Sequence, residues 1–222
     1  MIYVENKRRK IERIQKEYPN AIILDITSKS TMRYAQILSP FYPHGNIPIP
    51  FSPENIKATC VEAVWQGLKV FQNADVDFTT FKNDSMHNLK RTVRKFGLPL
   101  GHRKGVYGTE LLNYFDARMQ IYLPTYKWML DNIPEVNHVV ERIKQQSKKQ
   151  DIVFLDYNTN IEFRDISKPL SHAGLVKLYI EGNYPQQSEH FTPMTEEEIK
   201  RNSNLNKKKK TENIAKEFTL FD

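Results

Sequence analysis

Thr59-Cys60-Val61-Glu62-Ala63-Val64-Trp65-Gln66-Gly67-Leu68-Lys69-Val70-Phe71-Gln72 is the stretch on which the fold turns. Wound as a helix at about 100° per residue, it places small or apolar side chains over nearly the whole circumference. The spacing predicts a buried helix over 58–72. Only Lys69, Glu62 and Gln66, at about −20°, 0° and +40°, interrupt the apolar surface, a wedge far narrower than a solvated face. A buried carboxylate is costly unless it is paired or lines a wet cavity. Glu62 is therefore either satisfied internally, by Lys69 or by backbone, or it faces a ligand pocket.

Outward from that stretch, residues 7–18 read as a short basic helix with Ile11, Ile14 and Tyr18 on one side, stopped by Pro19-Asn20 ahead of a β-like run over 21–26. Residues 28–53 mix Pro40, Pro43, Gly45, Pro48, Pro50 and Pro53 with Phe41, Tyr42, Ile47, Ile49 and Phe51, which predicts an ordered apolar loop. Further helices are predicted over 85–96, 109–122 (ended by Pro124), 125–132 and 136–147. A buried strand over 152–157 and a last helix over 170–181, capped by Gly182, complete the pattern. The fold class is α+β, a mostly helical single domain with a few strands, because the two convincing strands lie far apart and no regular βα alternation is seen. The domain is placed at 1–185, with residues 1–27 as an N-terminal extension. Residues 186–222, polar and with four consecutive lysines at 207–210, are expected to form a flexible tail.

A chain of 222 residues, 39% hydrophobic and 11% aromatic, can build a core and fits one domain. Without a long apolar run or an apolar leader at its start, it is expected in the cytoplasm. Cys60 is the sole cysteine, so neither an intramolecular disulfide nor a Cys-based zinc site is expected. No P-loop, dinucleotide-binding glycine loop or metal-ligand cluster occurs, so no cofactor and no metal are expected. The net charge of +7 is unevenly spread. Residues 186–222 are neutral overall, whereas Lys82, Lys90, Arg91, Arg94, Lys95, Arg103 and Lys104 face a single acid, Asp84. That segment reads either as an anion site, with Lys90, Arg91 and Arg103 as phosphate candidates, or as a soluble basic face.

The loop Leu38-Ser39-Pro40-Phe41-Tyr42-Pro43-His44-Gly45, followed by Glu62, Trp65, Gln66 and Lys69 in the pattern E-x-x-W-Q-x-x-K, resembles the start of the NADAR family, the YbiA-like N-glycosidases. Leu155-Asp156-Tyr157-Asn158 and Ser171-His172-Ala173-Gly174-Leu175 are similar to its later motifs, with Pro40 and His172-Ala173-Gly174-Leu175 as departures. The resemblance spans about residues 34–182 and suggests a divergent branch among bacterial or phage proteins, a phage member acting in the host cytoplasm.

What the resemblance implies is hydrolysis of an N-glycosidic bond between ribose and a nitrogenous base. The substrate would bear phosphate, as ADP-ribosylated guanine, free or in nucleic acid, or as a ribosylaminopyrimidine phosphate. Glu62 would be the catalytic base or the stabiliser of an oxocarbenium-like state. Lys69 would bind phosphate or keep Glu62 ionised, and Gln66 would orient ribose or water. Phe41, Tyr42 and Trp65 offer flat surfaces for the base. His44 either reaches the pocket or is a polar loop residue. Arg118 binds phosphate or pairs with Asp116, and Asp156 contacts ribose or forms a turn. The alternatives are a non-catalytic nucleotide- or nucleic-acid-binding protein that uses residues 82–104, an ADP-ribosyl transferase, and a sequestering protein that keeps its ligand intact.

Overall fold

The computed structural model describes residues 1–185 and residue 197; the expected tail over 186–222 otherwise lies outside the described residues. The chain runs β1 (Ile2–Asn6), α1 (Ile11–Glu17), β2 (Ile22–Asp25), α2 (Arg33–Gln36), β3 (Ile47–Pro48), β4 (Lys57–Ala58), α3 (Val61–Gly67), β5 (Lys69–Phe71), α4 (Phe78–Phe81) and α5 (Val93–Phe96). It continues through β6 (Pro99–Arg103), β7 (Leu111–Leu112), α6 (Tyr114–Ala117), a π-helical turn (Arg118–Tyr122), α7 (Leu123–Asn132), α8 (Pro134–Ser147), β8 (Ile152–Asp156) and α9 (His172–Ile180). The class is α+β.

β8 is the middle of a parallel sheet ordered β1-β8-β2, with Ile2 and Ile22 both opposite Ile152. Every residue of Ile-Val-Phe-Leu-Asp in β8 is buried because both of its faces are covered. Ile152 and Phe154 join the main core, while Val153 and Leu155 meet Ile14 of α1 on the other side. Residues 1–27, expected as an extension, thus supply both outer strands of this sheet.

Three helix expectations are corrected. The helix over 58–72 stops at Gly67, and Lys69, Val70 and Phe71 form β5, antiparallel to β6. The Gly67 carbonyl accepts from the Asp77 amide (2.9 Å), and strand pairing suits Val70 and Phe71 better than continued helix. Over 85–96 only α5 is helical; Met86 (φ 59°) and Asn88 (φ 58°) are left-handed, which a right-handed helix excludes. Over 109–122, β7 precedes α6, and the helix then runs past Pro124 into α7 instead of ending there. The π-helical turn, closed by Leu123 N–H on the Arg118 carbonyl, widens the ladder just ahead of the residue that has no N–H to give. Gly182 ends the last helix in a left-handed conformation (φ 76°), as expected.

Gly67 sits where α3 meets α4, and a Cβ there would run into the ring of the buried Phe81. Gly67→Ala is expected to lower the unfolding free energy by about 1–3 kcal/mol, as overpacking of a filled core does. Urea denaturation followed by circular dichroism measures it.

Candidate active site

β2 and β8 run parallel, and the residues at and just beyond their carboxyl ends, Thr27, Ser28, Asp156, Tyr157 and Asn158, open onto one cavity of about 510 Å³. Ligands of open α/β sheets bind in this position. The other walls come from Ser39 and Phe41, from Glu62, Trp65 and Gln66 on α3, from Lys69 at the start of β5, from 90–93, and from Tyr114, Arg118 and Tyr122. Pro169, Leu170 and His172 close the ring.

Glu62, 7% exposed, has its position fixed twice. Its amide donates to the Pro40 carbonyl (2.8 Å), and its Oε1 accepts from Gln66 Nε2 (2.8 Å). The Gln66 amide is held in that orientation because its Oε1 accepts from the Arg91 backbone N–H (3.1 Å). Burial raises the Glu62 carboxyl above the ordinary glutamate value, against the Gln66 hydrogen bond and the positive charges of Lys90, Lys69 and His172. Lys69 makes no ion pair with Glu62 among the described residues; its ammonium lies over the Phe71 ring (5.3 Å). Burial holds its pKa below the usual lysine range, with Glu62 opposing. Lys90 reaches the cavity beside the Phe41 ring (5.7 Å).

At the far wall Asp156 is saturated. Its Oδ1 accepts from the Tyr157 amide (2.7 Å), and its Oδ2 from Ser171 Oγ (2.8 Å), the Ala173 amide (3.4 Å) and His172 Nδ1 (3.0 Å). His172 Nε2 meets the Ile26 carbonyl (2.9 Å). Both ring nitrogens face acceptors, so both carry protons and the ring is an imidazolium. Burial opposes both charges, yet the pair outweighs it: the Asp156 carboxyl comes down to about 2 and the His172 ring is raised.

The sequence expectations divide. Glu62, Gln66, Trp65, Lys69, Phe41, Lys90 and Asp156 share the cavity. Tyr42 and His44 pack on each other (4.9 Å) away from it, His44 bonded to the Ile37 carbonyl (2.9 Å). Arg103 also lies elsewhere, bound to Asp75 (2.7 Å) and the Thr109 carbonyl. Two expected phosphate ligands line the wall but are spent on backbone. The Arg91 guanidinium bonds the carbonyls of Gln66, Lys69 and Asp75, and that of Arg118 bonds those of Phe163, Asp165 and Lys168, tying down the loop over 157–170.

His172, Tyr114 and Tyr122 were not expected. Tyr114, Arg118 and Tyr122 are spaced by four, a readable signal, but in a plain α-helix Tyr122 would lie about 80° round from Tyr114. The wider π turn takes up part of that drift, and all three line the cavity. Trp65 is clasped by His102 (3.8 Å between centroids), Tyr114 (5.7 Å) and Tyr122 (5.6 Å). His102, its pKa pushed down to about 3 by burial and Lys69, is a neutral ring there. Among the described residues no cluster of His, Cys, Asp or Glu could hold a metal, and no helix is long and apolar enough to cross a membrane.

Set against known proteins, residues 6–176 match a family model described as a family of unknown function (DUF6939). No curated protein and no solved structure matches.

The Asp156 and His172 pair is buried, and removing one charge of such a pair costs about 3–5 kcal/mol. Asp156→Asn is expected to lose that much in urea denaturation. The Asp156 contribution is present above pH 3.8 and lost as pH falls through about 2; that of His172 is present below pH 6.5 and lost as pH rises through its raised folded value. The gap between wild type and variant should therefore be widest between pH 3.8 and 6.5.

Proposed function

Since the chain belongs to DUF6939, a family of unknown function, its chemistry has to be drawn from its own cavity, and we propose that it is a hydrolase cleaving the N-glycosidic bond between ribose and a nitrogenous base in a phosphate-bearing substrate. The observation that carries the proposal is Glu62: a desolvated carboxylate with one oxygen fixed by Gln66, in the wall of a cavity that also holds two lysines and an aromatic face. The similarity of the loop over 38–45, and of Glu62, Trp65, Gln66 and Lys69, to the NADAR family points the same way.

Cleavage at C1′ develops positive charge on the sugar ring, which a carboxylate beside it stabilises. Glu62, more basic than an exposed glutamate, also takes the proton of the attacking water. Lys69 and Lys90 attract the substrate's phosphate and keep Glu62 ionised, so that it enters the reaction as a base. Trp65 and Phe41 supply stacking surface. The size of the cavity suits a nucleotide, either ADP-ribosylated guanine or a ribosylaminopyrimidine phosphate. The rival reading, nucleotide or nucleic-acid binding through residues 82–104, has less to draw on, since Arg91, Arg103 and Lys104 are engaged with carbonyls or acids of the chain itself.

Glu62→Gln is expected to lower kcat by about 10²–10⁴-fold, read by mass spectrometry as release of base from these two substrates. Full turnover by that variant would end the assignment. In the wild type the acid limb of kcat/KM should sit above pH 4.5, the ordinary glutamate value. Because the positive charge of Lys90 lowers the Glu62 pKa, Lys90→Met should move the limb further up.

A further inference from the structure

Resting on that N-glycosidase reading, the geometry points to Tyr122 as a second catalytic residue, whose hydroxyl donates a hydrogen bond to the nitrogenous base as it leaves C1′. Several polar groups of the wall are already committed: Asp156 and His172 to each other, Arg118 to three carbonyls, Gln66 to Glu62 and Arg91. Tyr122 lines the cavity, and its hydroxyl has no hydrogen-bond partner among the described residues. The ring that carries it is fixed, edge-on to Trp65 (5.6 Å, 73°) and stacked on Tyr126 (6.2 Å, 16°). Tyr126 is itself anchored through its hydroxyl on the Leu38 carbonyl (2.6 Å). A donor held this rigidly costs little reorganisation when charge appears in front of it.

Three neighbours define what it can do. Trp65, which Tyr122 touches, is the stacking surface for the base, and Glu62 lies close enough for its charge to act on the phenol. Burial, with Glu62 and Asp156 nearby, holds the phenol pKa well above its ordinary value, so Tyr122 keeps its proton and acts as donor only. In the reaction the bond from C1′ to nitrogen breaks with its electron pair remaining on the base. Water supplies the oxygen that bonds to C1′, and its proton passes to Glu62. That proton is the one the base finally takes up, so the cycle closes without a co-reactant. Tyr122 stabilises the electron-rich nitrogen while it waits.

The inference has a leaving-group signature. A base that departs as a neutral molecule from a cationic nitrogen needs no donor, whereas one that departs with excess electron density does. Tyr122→Phe removes one oxygen and keeps the ring packing. With ribosylaminopyrimidine phosphate the variant is expected to lose about 10²-fold in kcat at little-changed KM, the cost of deleting one preorganised donor. With nicotinamide mononucleotide, whose pyridinium leaves neutral, it is expected to stay within about threefold of wild type, since no charge then develops on the leaving nitrogen. An unchanged melting temperature would accompany both results. Equal losses on the two substrates, or no loss on either, would overturn the role of Tyr122 while leaving that of Glu62 standing. A wild type that turns over neither substrate, nor ADP-ribosylated guanine, would overturn the N-glycosidase reading and this inference together.

Discussion

A hydrogen-bond relay from Glu62 through Gln66 to Arg91 organises the cavity, because each link satisfies a group whose burial would otherwise be destabilising. The carboxylate of Glu62 is out of water on a helix whose remaining sides belong to the core. One of its oxygens is met by the Gln66 amide. That amide can offer its N–H groups only if its oxygen is satisfied elsewhere, and the Arg91 backbone does so. The Arg91 guanidinium then bonds the carbonyls of Gln66, Lys69 and Asp75, which joins α3, β5 and the following loop into one wall. Removing any member strands the next.

The same logic separates the arginines from the lysines. A guanidinium offers five donors in a rigid fork and suits the gathering of backbone carbonyls from different segments. Arg91 does this beneath the cavity, and Arg118 does it beside the loop over 157–170. The flexible ammonium groups of Lys69 and Lys90 are the cations left to face the cavity and act on Glu62. In the positive segment over 82–104, side-chain geometry makes Arg91 an internal staple, pairs Arg103 and Lys104 with acids and leaves Lys90 to the cavity, distinctions that a count of charges cannot make.

Much of the α+β class and one cluster of the site could be read directly. The apolar run expected over 152–157 forms the buried strand Ile152–Asp156, Gly182 does stop the last helix, and Glu62 and Gln66 share a wedge because i and i+4 meet on any helix. Lys69 reaches the same cavity by another route, from the first position of a strand, so the expectation about its place held although the reason for it did not. The strand Ile2–Asn6 carried no strong local signal and exists because β8 has an open edge to fill. The helix over 85–96 failed because Arg91 is drawn inward to carbonyls distant in sequence.

The sequence by itself determined what local periodicity can specify: which residues must be buried, where chain-stopping residues punctuate them, and that a lone glutamate on an apolar helix needs a partner or a cavity. Only the tertiary structure decided which cations remain available, that His172 neutralises Asp156, and that a π turn brings Tyr122 into the wall beside Tyr114. The physical reason is that these outcomes depend on carbonyls, carboxylates and ring faces brought together from far apart in the chain. Satisfying a buried polar group is a contest among all donors and acceptors in reach, and reach is set by the fold.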